Sequence, residues 1–132
     1  MQDRLTLIRH ADRPSVAFAG GASYCPVIGD DTGAGVPIRT GIQTSPPGYE
    51  TRPHSHPYVE VLTVLAGTGE AWLDGENGVV VLEPGVTVLV PANRVHGFRA
   101  TGDGALVTFG IHASGQRIVD YADPPAPAQS AL

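Results

Sequence analysis

The chain has no lysine; all eight of its basic residues are arginine. A lysine Schiff base or a lysine general base within this chain is therefore excluded. There is one cysteine, Cys25, so no internal disulfide can form, and a reducing compartment is the simple expectation. Positive charge is scarce: the 13 acidic residues outnumber the arginines and leave a net charge of -5. Nucleic acid or an anionic membrane would need a basic patch, so neither is expected as a partner. No apolar run approaches membrane-spanning length, and "MQDRLTLIRHADRP" lacks the apolar core of a signal peptide. A cytoplasmic protein is the expectation. Sustained helical periodicity with caps is absent too, which argues against helices.

What remains is a pattern of short strands. With 132 residues, the chain has the size of one domain, and 42% hydrophobic against 16% charged residues suits a globular fold. Seventeen glycines and twelve prolines are spread along the chain. Between them lie runs rich in Val, Leu, Thr and Ile: "RLTLIR", "VPIRTGIQTS", "YVEVLTVLAG", "GEAWLDG", "GVVVLE", "VTVLVP", "VHGFRA" and "ALVTFGIHA". Turn signals such as "SPPG", "DGENG", "EPG" and "TGDG" separate them. Closely spaced strands of this kind predict an all-β sandwich or barrel over residues 1–121. "AGGASYCPVIGDDTGAG" reads as an irregular loop with room for one short strand. The Pro/Ala-rich residues 122–132 read as a frayed tail.

Chemistry concentrates in "RPHSHPYVEVLTVLAG". His54 and His56 are two apart, so a strand would point both to one face. Glu60 has the same parity, but four strand residues span roughly 13 Å. A turn near Pro57 must bring Glu60 back. A further imidazole, His96, follows "VTVLV" and the break at "PAN". If the two hairpins face each other, four groups converge, and neutral imidazole and carboxylate are good ligands for divalent first-row metals.

These residues resemble the cupins. From Gly48 the spacing is Gly, five residues, His54, one, His56, three, Glu60, six, Gly67, which matches the first cupin motif at each fixed position. From Gly85 it is Gly, five, Pro91, one, Asn93, two, His96, three, Ala100, which matches the second motif except at Asn93 and Ala100. The family usually has Gly at the first of these and often Asn at the second. Asn tolerates positive φ, so the turn at Asn93 is expected to form. The resemblance covers about Gly48 to Ala100. It implies a single antiparallel jelly-roll β-barrel that holds one divalent metal ion per chain through His54, His56, Glu60 and His96. Two coordination positions would be left for water, substrate or oxygen. It also implies a homodimer, with "RLTLIR" placed to add to a partner's sheet.

The metal would be iron for a dioxygenation, with manganese, nickel, zinc, copper and cobalt as the alternatives. The expected function is a dioxygenase-type oxidoreductase acting on a small polar organic substrate. A metal-dependent isomerase, epimerase or lyase on a sugar or hydroxy-acid is the alternative, and a non-catalytic ligand-binding sensor is a third. Arg39, Gln43, Tyr58 and Phe98 are candidates to line a pocket. Phe98 shares the parity of His96, and a buried Arg39 could clamp a substrate carboxylate. Trp72 and Phe109 are expected in the core. Cys25 reads as a small buried hydrophobe, and His10 and His112 as surface or interface residues.

Overall fold

The computed structural model describes residues 4–122. Among them there is no α-helix, only three short 3-10 turns and eleven strands. One antiparallel sheet has six strands. These are β1 (Val16–Ala17), β2 (Ser23–Ile28), β3 (Arg39–Ser45), β5 (Glu60–Ala66), β8 (Thr87–Val90) and β10 (Leu106–His112). Their spatial order is β1-β2-β3-β10-β5-β8. The second sheet holds β4 (His54–Ser55), β6 (Gly69–Leu73), β7 (Val80–Leu82), β9 (His96–Ala100) and β11 (Asp120–Tyr121). It runs β11-β4-β9-β6-β7. The two sheets pack face to face as a jelly roll, so the all-β expectation holds.

Alternation builds the core. On β5, Glu60, Leu62 and Val64 are buried and Val61 and Thr63 less so. On β9, Phe98 and Ala100 face inward and Arg99 outward. Leu62, Val64, Leu82, Phe98 and Leu106 form one apolar cluster with Ala22, Tyr49 and Ala100. The turn after β5 needs Gly67, whose φ is +80° and whose missing Cβ would fall on the Ala105 carbonyl.

The glycine-rich segment contributes one strand, β2, six residues long and paired with β3 through Ser23, Tyr24, Cys25, Pro26 and Ile28. Two expectations change. "RLTLIR" is not a strand: residues 5–9 form no sheet pairing among the described residues, and Leu5 and Leu7 lie exposed. A strand needs a neighbour to satisfy its backbone, and the described residues supply this segment with none. Cys25 is half-buried, its thiol directed at the His10 carbonyl, and His10 itself is exposed. Of the expected tail, residues 123–132 lie outside the described residues.

Candidate metal centre

The crossing from one sheet to the other makes the site. β4 ends at Ser55 in the five-stranded sheet, and β5 begins at Glu60 in the six-stranded sheet. The turn through Pro57, which is exposed, therefore carries the chain from one sheet to the other. It places His54 on one wall and Glu60 on the facing one. Across the sheet, His54 pairs with His96. Asn93, with φ +64°, turns the chain into β9, and its N–H donates to the His56 carbonyl at 2.7 Å. The expected turns at Pro57 and Asn93 thus both form and both serve the site.

His54, His56, Glu60 and His96 are buried, and each offers a ligand atom within 4.8 Å of the others. The Nδ1 atoms face backbone carbonyls. His54 meets Arg52 O at 2.6 Å, His56 meets Ile118 O at 2.7 Å and His96 meets Arg94 O at 2.9 Å. A carbonyl only accepts, so each Nδ1 carries the proton. In the neutral rings each Nε2 is then left with a bare lone pair. His54 Nε2 and His56 Nε2 are buried without a hydrogen-bond partner. His96 Nε2 stands 3.3 Å from Glu60 Oε1, two acceptors that need a proton or a cation between them. The donor set therefore fits a divalent cation: three oriented imidazoles and one carboxylate, lone pairs converging.

Electrostatics agree. Burial, with help from His96, pushes the His54 pKa down to about 4, so this ring stays neutral in moderate acid. Burial alone would raise Glu60, but the surrounding imidazoles of His112, His56 and His96 outweigh it and hold the carboxyl well below its usual range. For His96 burial is likewise outweighed, here by Glu60, and its pKa rises.

His112 is the main correction. It is buried rather than at the surface. Its strand partner across the sheet is Glu60 itself, and its Nε2 lies 3.5 Å from Glu60 Oε2. The Tyr58 hydroxyl stands 2.9 Å from His112 Nδ1 and accepts the Ile118 N–H at 3.2 Å. Tyr58 also stacks on the His56 ring, with centroids 5.1 Å apart. The second oxygen of Glu60 is thus tied to a buried imidazole and phenol. Parity hid this, because Val107, Phe109 and Ile111 make the opposite face of β10 look like the core face. The usable signal was register: a His at the end of the strand that pairs with β5.

The other pocket candidates separate. Phe98 lines a cavity of about 170 Å³ bordered by His54, Glu60 and His96. Trp72, expected in the core, also lines it and is half-buried. Gln43 does not line that cavity. It borders a second one of about 10 Å³, with Tyr24, Thr108 and His112. Arg39 lines neither: it is buried under Tyr24, 4.8 Å from the ring centroid, and reaches Asp31 at 3.5 Å.

Comparisons with known proteins accord with this geometry. The chain is 32% identical over 97 residues to a 5-nitrosalicylic acid 1,2-dioxygenase from a Bradyrhizobium species. That match takes in 67% of this chain but 46% of the relative, so the chain spans about half its length. A cupin 2 domain-containing protein from Halorhodospira halophila is 25% identical at a TM-score of 0.70, covering 79% of this chain and 72% of that one. The polyketide cyclase RemF from Streptomyces resistomycificus shares the fold at a TM-score of 0.73 and 19% identity, over 95% and 88% of the two chains. The family model for the cupin domain matches residues 41–112, more than half of the chain. The chain belongs to the cupin family.

Proposed function

We propose that this protein is a metal-dependent oxidoreductase of the dioxygenase type, acting on a small organic substrate that chelates the metal. The observation that supports it is the set of Nε2 lone pairs converging with the Glu60 carboxylate beside a cavity. The 32% identity to a 5-nitrosalicylic acid 1,2-dioxygenase supports the reaction type. His54, His56, His96 and Glu60 would hold the ion. A redox-active ion such as iron would supply oxygen chemistry there. Both atoms of O₂ would enter the substrate, across a broken carbon–carbon bond in a diketone or catechol or onto sulfur in a thiol acid, and the substrate's own electrons would reduce the oxygen, so no external reductant is needed. The chain's part is to fix the three imidazole tautomers through the Arg52, Ile118 and Arg94 carbonyls, to hold Glu60 through His112, and to exclude water.

The test is an oxygen electrode run over diketones, catechols and thiol acids with iron, manganese, nickel and zinc forms. Oxygen uptake that needs iron and disappears in His96→Ala is the expected result. Turnover without oxygen use would replace this reading with isomerase or lyase chemistry. Full metal occupancy in His96→Ala would overturn the four-ligand site.

We also propose a homodimer. Leu5 and Leu7 lie exposed on a segment that joins no sheet among the described residues, which suits pairing with a second copy. Light scattering should give a dimer that shifts toward monomer on removal of residues 1–9. A soluble monomer from the full chain would remove this idea.

A further inference from the structure

The cavity beside the four ligands is lopsided in its chemistry. Its walls are Leu62, Trp72, Val80, Val88, Val90 and Phe98, with three of the ligand side chains, His54, Glu60 and His96, completing the lining. Part of the wall is exposed: Val79, Val80 and Leu89 line the cavity and reach solvent. β7 and β8, which carry Val80 and Leu89, are the outermost strands of their two sheets, so the opening lies where neither sheet continues.

No arginine lines the cavity, and the chain has no lysine. Four of the arginines are engaged elsewhere. Arg39 holds Asp31, Arg52 lies over the Tyr121 ring, Arg94 donates to the Asp74 carbonyl, and Arg99 pairs with Glu70. The charged groups that do line the cavity, Glu60 and Glu76, are acidic. A carboxylate, sulfonate or phosphate on the body of a ligand would meet no cation there. A sugar would leave its hydroxyls against apolar carbon, and each unpaired polar group is costly to bury. The volume suits a single ring: about 170 Å³ compares with the roughly 150 Å³ of an engineered apolar cavity that binds benzene.

We infer that the substrate is a ring-sized apolar molecule with one chelating head, such as adjacent oxygens on an aromatic ring, and no anionic group on its body. The head meets the ligand side chains, and the body lies along Trp72, Val88 and Phe98. A small apolar substituent points to the opening between β7 and β8. This rests on the metal reading above and specifies the substrate class of the same site.

Trp72 is the only tryptophan in the chain, so its fluorescence reports on this wall. Zinc-loaded protein is the sample, because zinc has no redox chemistry and so supports no oxygenation of the probe. The probes are 4-methylcatechol, 4-sulfocatechol, gluconate and oxalate, and calorimetry on the same samples reads binding independently of Trp72. 4-Methylcatechol should bind at least about tenfold tighter than each of the other three, since one methylene in an apolar pocket is already worth about that much. Val80→Asp should weaken 4-methylcatechol about tenfold and leave oxalate and zinc content unchanged. Val81→Asp, on an exposed neighbour that does not line the cavity, should change neither. Equal binding of 4-sulfocatechol or gluconate, an unaffected Val80→Asp, or no catechol binding by zinc-loaded protein would overturn the inference. Protein that takes up no zinc would instead overturn the metal reading, and metal analysis separates the two failures.

Discussion

The four candidate ligands have two unlike sides. On one side is an apolar cavity walled by Trp72, Val88 and Phe98. On the other is a polar wall in which Tyr58, His112, Gln43 and Thr108 are all buried. The first side leaves space for a ligand, and the second leaves almost none. Packing on the polar side fixes Glu60 and His56 from behind, whereas the apolar side selects what can approach from the front. A site needs both, because a ligand set without rigid backing drifts, and a cavity without a fixed polar end orients nothing.

The largest effect is expected on the apolar wall. Phe98→Ala removes a buried ring from the core cluster and should cost about 3–5 kcal/mol in denaturant unfolding. Stability within 1 kcal/mol of the parent would mean that this wall is not core.

Acid tests the shared ligands next, in protein stripped of metal. His54 has a folded pKa of about 4 because it is buried, against about 6.5 unfolded. Between these values the unfolded chain binds more protons, so the stability His54 contributes is complete above about pH 6.5 and is lost as pH falls toward 4. That loss is on the order of 3 kcal/mol. Glu60, held below its usual pKa, loses its contribution at lower pH still. His96 acts oppositely: its pKa is raised, so its contribution fades as pH rises above about 6.5. Thermal unfolding scanned from pH 7 to 4 should show a fall, and a flat profile would contradict a buried neutral His54.

On the polar wall, His112→Ala should lower metal affinity about 10- to 100-fold, the usual cost of removing a partner that orients a ligand. Tyr58→Phe should have a smaller effect in the same direction. Competition with a chelator reads both. Unchanged affinity in His112→Ala would reduce this wall to packing alone.

The smallest effect belongs to Thr108→Val. Thr108 Oγ1 is buried without a hydrogen-bond partner beside the smaller cavity. Replacing it by an isosteric methyl should change stability by less than about 0.5 kcal/mol, or raise it slightly. A loss of 2 kcal/mol or more would show that Thr108 and Gln43 share an ordered water there.

The apolar side was largely legible in the residues. Alternation on β5 and β9 places Leu62 beside Glu60 and Phe98 beside His96 on one face. The two motifs named the four side chains that the structure gathers. The polar side was legible only in part, through Tyr58 and Gln43. Arg39 and His112, both buried at the ends of paired strands, carry no apolar signature. On β10 the apolar parity pointed to the wrong face.

By itself the sequence determined most of the strands, the turns at Pro57, Gly67 and Asn93, and the spacing that puts imidazoles and a carboxylate in range. These are local properties, governed by the two-residue period of a strand and by which residues accept a turn. Tertiary structure alone decided that β10 pairs with β5 so that His112 meets Glu60. It also decided that Tyr58 bridges His56 and His112, and that no arginine enters the cavity. Those outcomes depend on register and on sheet-to-sheet packing between segments up to 54 residues apart. No local pattern encodes such a pairing, because its energy arises only when the two strands are already side by side.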